Sequence, residues 1–556
     1  MANGRYIQVI LPLKLEWEPF YRLPDGMEVE VGSRVRVIFA NAFYTACVSR
    51  VDVTPQMDPS RIMPVEAVEE ALAPISAREI DFWRALAAYY LCSLGEVYKV
   101  ACPSIYNRKS RLKLPDTGLP EVPELKPEEE AAVSALRTQT KTVLLNGTLT
   151  RNILLQRARE TLEEGKSVLL LVPETGHEEE IPGAMLYNSQ MTAGKKKAVA
   201  EKLRTGQPCM VVGTRSALFL PFQNLGLVIV DREHDPAYKQ DAPAPRYNAR
   251  ESAIMLAGIH GAQVILSSPT PSLESLYNAR CGRFASVESG NSPSAIPIEI
   301  IDIGAEYRKR GMAGAFSLKL LSLMKTTLEE GRQVLLLAPK RIYEQGRRVE
   351  DNVLEYFPSA RVANLDLGPA DDEYDIYIAS TAATRGFSCR NLGMVALVSW
   401  DGMLSRQDFR ADERAFQLLE QFRAMCPHLV IQTREPSHPV FRLIASGQSP
   451  VEHMLEERRD AAYPPYTRMV KVQVKDVLEN RLLKMTRELS AALGEAGIRA
   501  EGPFAPGHDL PLREIHILLP RDKTLVEKKA ALGKTVAAFE QSRKYTGHVV
   551  IDVDPV

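Results

Sequence analysis

The chain has 556 residues, 45% hydrophobic and 25% charged, an ordinary soluble composition whose length predicts about three to five packed units. Its 69 Lys and Arg against 70 Asp and Glu leave a net charge of −1, which excludes a global basic field and leaves any polyanion to local patches. No run reaches the ~18 apolar residues of a membrane span, and acidic residues interrupt the first 21 positions before a signal-like core develops, so a cytoplasmic protein with no membrane partner is expected.

From the N-terminus, Tyr6 to Leu13, Gly32 to Phe39 and Tyr44 to Val53 read as short strands of a small β module. Ser76 and Glu79 have capping-box spacing before Ile80, Trp83, Leu86, Ala87 and Tyr90, whose intervals predict an amphipathic helix. Pro103 to Lys126 reads as a linker. Apolar runs then alternate with helical segments at Thr142–Asn146, Ser167–Val172, Pro208–Gly213, Leu225–Val230 and Gln263–Ser267, and again at Gln333–Ala338, Asp375–Ser380, Met394–Trp400 and His428–Thr433. Two tandem α/β lobes with parallel strands are the simplest account. A charged helix (Val451 to Arg459), Tyr463-Pro464-Pro465-Tyr466 and a strand and helix series ending in Val549–Val553 predict a C-terminal α+β unit.

The seven cysteines (Cys47, Cys92, Cys102, Cys209, Cys281, Cys389 and Cys426) form no CxxC pair, and the nine histidines lack metal-ligand spacing. No zinc ribbon or other metal site is expected, only buried reduced thiols.

Tandem lobes usually bind a nucleoside triphosphate, with a Gly-rich loop after the first strand, a Lys for the β/γ phosphates and a Ser or Thr for magnesium. Here Gly147-Thr148-Leu149-Thr150-Arg151-Asn152 follows the first strand without the second Gly or the Lys. Gly147, Thr148, Thr150 and Arg151 are thus a degenerate nucleotide site. Gly165-Lys166-Ser167 and Gly533-Lys534-Thr535 lack the earlier Gly, and the first leads from helix into strand. Asp231 ends a buried strand, as a magnesium-binding acid would, but Arg232 follows it, and Glu233 and His234 come after. An arginine stays protonated and cannot serve as a base.

Val212-Gly213-Thr214-Arg215-Ser216-Ala217-Leu218-Phe219-Leu220-Pro221-Phe222, with Glu233-His234-Asp235, Tyr238-Lys239-Gln240, Pro245-Arg246-Tyr247 and Thr270-Pro271-Ser272-Leu273-Glu274-Ser275, resembles the primosomal protein N′ family, the PriA-type replication-restart helicases. Further matches are Gly32-Ser33-Arg34-Val35, Asp408-Phe409-Arg410-Ala411, His438-Pro439-Val440, Tyr463-Pro464-Pro465 and Ile551-Asp552-Val553-Asp554-Pro555. The resemblance covers nearly the whole chain. It implies a small β DNA-binding domain (1–70), a shortened winged-helix remnant and linker (71–122), two RecA-like helicase lobes (123–290 and 291–445) and a C-terminal α+β domain (446–556). It also implies recognition of forked or single-stranded DNA. The implied partners are primosome proteins, the replicative helicase or its loader, and single-strand binding protein.

Family members are normally zinc-binding, ATP-driven helicases that unwind 3′ to 5′, and this chain departs from them chiefly in the residues of the ATPase site. Besides the loop and Arg232, Glu129 stands near the place of the adenine-reading Gln, and Glu420-Gln421-Phe422-Arg423-Ala424-Met425 replaces the arginine-finger segment. Pro339 to Asn352 replaces the zinc-binding insertion, and Pro19-Phe20-Tyr21 stands in place of the Phe-Asp-Tyr pocket for a 3′ end, which lacks its acidic residue unless Glu18 replaces it. The residues implied to meet DNA are Arg34, Arg215, Tyr238, Lys239, Arg246, Tyr247, Arg250, Thr270 and Arg385. Arginine and lysine would pair with phosphates and tyrosine would stack on bases. Arg108, Lys109, Arg111 and Lys113 are further phosphate contacts, whereas Lys195 to Lys197 read as solvated surface.

Three functional classes follow. The preferred one is a pseudo-helicase that recognises forks and scaffolds primosome assembly with no catalytic residue and no cofactor. The second is a divergent ATP- and magnesium-dependent helicase using Asp231, a displaced base at Glu233 and Arg385 or Arg423 as its cation. The third is a protein-interaction module without DNA binding.

Overall fold

The computed structural model describes residues 5–103, 114–140, 142–148, 150–173, 181–290, 298–338, 349–368, 370, 373–381, 383–384, 387, 389–398, 401–404, 408–506, 511–542 and 547–556. They form two units, one of Met1–Ser268, Glu274–Ser289 and Ala462–Val556 and one of Pro269–Leu273 and Gly290–Ala461.

In the first unit the predicted β module is an antiparallel sheet in the order Phe20–Arg22, Tyr6–Ile10, Ala42–Arg50, Arg34–Phe39, Ala67–Val68. Its strands alternate, so Ile7, Val9, Val35, Val37, Ala46 and Val48 share one buried face. Ala40 and Asn41, both at positive φ (48° and 61°), make the tight turn between the central strands, as a two-residue hairpin requires. The predicted capping box is present. The Ser76 N–H lies 2.9 Å from Glu79 Oε2 and the Glu79 N–H 3.3 Å from Ser76 Oγ, opening the helix Ala77–Tyr90. Ser93 and Glu96 repeat the device for Leu94–Ala101. Residues 114–126 form no helix or strand, as expected of a linker, and the basic run Arg108 to Lys113 lies outside the described residues.

The first lobe is a parallel sheet of seven strands, in the order Ala285–Ser289, Val143–Gly147, Gln263–Ser268, Leu225–Asp231, Ser167–Leu171, Met210–Gly213, Met185–Tyr187. Alternate residues supply two cores. Val143, Leu145, Leu227, Ile229 and Ile265 pack on one side; Leu144, Val228, Val230 and Leu266 pack on the other. The second core also takes in Phe82, Trp83 and Tyr90 of the N-terminal helix and Val470, Val472 and Val553 of the C-terminal sheet. That C-terminal sheet is antiparallel, in the order Ala500–Phe504, Leu512–Pro520, Thr467–Lys475, His548–Val553, with the helices Glu479–Glu495 and Leu525–Gln541 packed against it.

The second unit is a parallel six-stranded sheet in the order Ile298–Asp302, Leu429–Thr433, Leu392–Leu397, Gln333–Leu337, Ile376–Ala379, Val362–Asn364. Glu413, on the helix Ala411–Arg423, organises one corner of it. Its carboxylate accepts the Leu273 N–H at 2.8 Å and Arg458 Nη2 at 2.6 Å. The helix Val451–Asp460, which the sequence reading places with the C-terminal domain, therefore packs in this unit. Both lobes are α/β, as expected. Among the described residues no helix is long and apolar enough to cross a membrane.

Candidate functional site

The nucleotide loop should lie where Val143–Gly147 turns into the helix Arg151–Glu163, and there the backbone is committed elsewhere. Gly147 has φ +140°, and a Cβ on it would stand 1.8 Å from the Ser289 carbonyl oxygen. The neighbouring strand Ala285–Ser289 thus passes too close for a side chain, and glycine is required by packing. The Thr148 N–H donates to the same carbonyl at 3.1 Å. A phosphate nest needs several consecutive N–H groups pointing at the ligand; here one is already used and only three residues separate Gly147 from Arg151. Thr150 precedes the helix without a side-chain capping bond, and Arg151 is exposed. Glu129 is buried and engaged on both oxygens, accepting the Lys126 N–H at 2.8 Å and Asn152 Nδ2 at 3.0 Å. It joins two helices of the lobe.

At the end of Leu225–Asp231, Asp231 Oδ1 accepts the Ser267 hydroxyl at 2.8 Å. Arg232 takes φ +48°, with its Nε 3.9 Å from Asp231 Oδ2. The Glu233 side chain is 0% exposed, and its Oε2 accepts Arg250 Nη1 at 2.9 Å and Ser275 Oγ at 3.0 Å. Burial disfavours the Arg250 charge, but Glu251, Glu233 and Glu274 together hold its pKa well above the ordinary value. Glu233 as a displaced base is therefore corrected: its side chain is shut from solvent and paired with a guanidinium. His234 Nδ1 is 2.7 Å from Ser268 Oγ. These groups do not fit a magnesium triphosphate held as a P-loop holds it.

Several residues expected to face DNA are interior. Tyr238 is 0% exposed, with its hydroxyl 2.9 Å from the Leu171 carbonyl and 2.5 Å from that of Asp231. Tyr247 is buried edge-on against Phe219, with centroids 5.3 Å apart. Burial raises both phenol pKa values. A ring without an exposed face cannot stack a base, so both are corrected to packing roles. Arg250 is corrected likewise, by its pairing with Glu233. Lys239 is also corrected: its Nζ donates to the carbonyls of Arg246 at 2.8 Å and Val553 at 2.7 Å, and lies 2.7 Å from Asp552 Oδ1. Arg246 Nη1 is 4.0 Å from Asp552 Oδ2, and the half-buried Arg215 donates to the Ala237 carbonyl at 2.7 Å. The segment is a seam joining the first lobe to the C-terminal strand. Thr270 is buried in the second unit, Arg34 is buried beneath the N-terminal sheet, and Arg385 lies outside the described residues.

Arg423 donates to Glu420 Oε1 at 2.5 Å, and both are buried, so Arg423 is corrected from a displaced finger to an internal pair. In the N-terminal sheet Glu18 accepts the Ser49 hydroxyl, and the buried Tyr21 hydroxyl donates to the Ile38 carbonyl at 2.8 Å. Most of the replaced zinc segment, 339–348, lies outside the described residues; among those described, no group of three or more His, Cys, Asp or Glu side chains is placed to hold a metal.

The sequence reading missed the rest of the seam. Tyr89 Oη donates to Asp554 Oδ2 at 3.0 Å, Arg468 lies over the Tyr89 ring at 4.4 Å, and Lys529 Nζ is 2.6 Å from the Tyr89 carbonyl. Burial, helped by Arg468 and opposed by Asp554, lowers the Lys529 pKa to about 8. A lysine whose pKa is lower folded than unfolded is protonated more readily in the unfolded chain, so its stability cost is full below about 8 and fades as pH rises toward the unfolded value near 10.4. Lys529→Met is expected to stabilise the protein at pH 7 and to flatten this rise, as measured by urea unfolding at stepped pH. An unchanged slope would contradict the assignment.

The PriA 3′DNA-binding domain (3′BD) family matches residues 8–103, a span that takes in both N-terminal helices as well as the sheet. The chain is 25% identical to the replication restart protein PriA of Rickettsia felis over 651 aligned residues, with 99% of each chain covered. That alignment is longer than this chain, so the relative carries inserted segments. Identity is 27% to the PriA of Bacillus subtilis, covering 62% of this chain and 55% of the relative. It is 28% to that of Haemophilus influenzae, covering 72% and 68%.

Proposed function

The chain belongs to the PriA family of replication restart proteins, and from that premise we propose that it recognises forked or single-stranded DNA and scaffolds primosome assembly without hydrolysing ATP. The observation that carries the second half is Glu233, a wholly buried carboxylate paired with Arg250 directly after Asp231 and Arg232. Phosphoryl transfer is catalysed almost entirely by positioning and charge stabilisation. With Glu233 buried against Arg250 and the Thr148 N–H already bonded to the Ser289 carbonyl, little of either is left to these residues. The DNA-binding half is supported by the 3′DNA-binding domain match over residues 8–103. Its protein partners are the replicative helicase or its loader and single-strand binding protein.

A fluorescent ATP analogue titrated in the presence of magnesium, alongside phosphate release with and without forked DNA, tests this reading. No saturable binding and no DNA-stimulated release are expected. Stimulated release abolished by Asp231→Asn would instead establish the divergent helicase.

A further inference from the structure

Below the N-terminal sheet lies a cavity of about 50 Å³ whose wall includes Arg34, Ile75, Glu79, Cys102 and, from the first lobe, Lys197, Glu201 and Arg204. That is room for about three or four water-sized bodies, or one small oxyanion. Lys197, Glu201 and Arg204 are spaced four and three residues apart on the helix Ala193–Arg204, so one helical face meets the cavity. Arg34 is the unusual group. It is 6% exposed, and its Nε has no hydrogen-bond partner among the described residues. The titratable groups facing it are Tyr98, Cys102 and Cys47, and burial raises the pKa of all three, that of Cys102 to about 12. They are neutral at physiological pH, so the guanidinium, which lies 5.4 Å from the centre of the Tyr98 ring, meets no carboxylate among these groups. Such a charge is costly unless something pairs with it.

Glu79 does not supply that partner. Glu79 Oε2 accepts the Ser76 N–H and hydroxyl at 2.9 and 2.8 Å. It also lies 3.9 Å from Arg204, which itself donates to the Pro74 carbonyl at 3.0 Å. Arg34, Lys197 and Arg204 thus bring three basic side chains to one wall, beside Glu79 and Glu201. We propose that it is a binding site for a phosphate-type oxyanion, held by Arg34, Lys197 and Arg204 where the N-terminal DNA-binding module meets the first lobe. A guanidinium fork suits a tetrahedral oxyanion, which it can bind through two parallel N–H groups. The anion is either a phosphate of bound nucleic acid or free phosphate. The site stands whether or not the chain hydrolyses ATP.

The test is the melting temperature of the full chain titrated with inorganic phosphate, against potassium chloride at matched ionic strength. Phosphate is expected to raise it saturably and chloride is not. Arg34→Met, which removes the buried guanidinium together with its contact on the Tyr98 ring, should weaken phosphate binding about tenfold or more relative to its own melting temperature without phosphate. If Arg34→Met fails to fold, Lys197→Met and Arg204→Met carry the same test from the half-buried helix. A flat phosphate titration, or one unchanged in the variants, overturns the proposal. Competition with an unlabelled oligothymidylate identifies the source: displacement of the phosphate effect marks a nucleic-acid phosphate, and its persistence marks free phosphate.

Discussion

Lys239→Met is expected to destabilise the first unit by about 3–5 kcal/mol, the usual consequence of removing one partner of a buried ion pair. The lysine side chain is 2% exposed and its ammonium sits among the Arg246 and Val553 carbonyls and the Asp552 carboxylate. Methionine fills the volume but satisfies none of these acceptors, and among the described residues Asp552 keeps only Arg246 at 4.0 Å. The C-terminal strand should therefore loosen before the rest of the sheet. Urea unfolding gives the magnitude, and protease sensitivity of the last strand gives the location. Intact stability with weakened DNA binding would return Lys239 to a nucleic-acid surface.

Arg250→Met should have an effect of similar size for a related reason. It strands Glu233 in a site closed to water, with Ser275 as a remaining donor, and leaves Glu251 beside it. A carboxylate stripped of its cation in such a place rises in pKa. The folded variant then holds a proton that the unfolded chain releases, so its stability falls as pH rises from about 4.3 through the raised folded value. The loss is expected to be about 3–5 kcal/mol at pH 7 and smaller near pH 5. Adding Glu233→Gln should recover part of it. A pH-independent loss, or no recovery in the double variant, would contradict the pairing.

Much of the fold was legible because its strands are strongly patterned. The runs at Leu225, Ser167, Gln263 and Gln333 are buried on both faces and appear as near-continuous Val, Ile and Leu. The lobe strands that escaped, Met185–Tyr187, Ala285–Ser289, Ile298–Asp302 and Val362–Asn364, are short or lie at sheet edges. The degenerate loop was equally legible, since a missing Lys is visible in the chain. The engagement of Thr148 by Ser289 was not, because it depends on a strand more than 130 residues away.

The seam was misread for a physical reason. Lysine, arginine and tyrosine in a loop have the composition of a phosphate-binding surface, and only the contact between Lys239 and Val553, 314 positions apart, reveals an interior anchor. Lys197 was misread in the opposite sense. It reads as solvated surface, yet it lines the cavity with Arg34. A local sequence window carries no information on either partner.

The most direct test of the central claim is anisotropy of a labelled replication-fork DNA titrated with the full chain at two salt concentrations, with and without ATP and magnesium. The account predicts fork binding that weakens steeply with salt, as release of counterions from phosphates requires, and a curve that ATP leaves unmoved. A curve shifted by ATP, or no binding to the fork at either salt concentration, would contradict it.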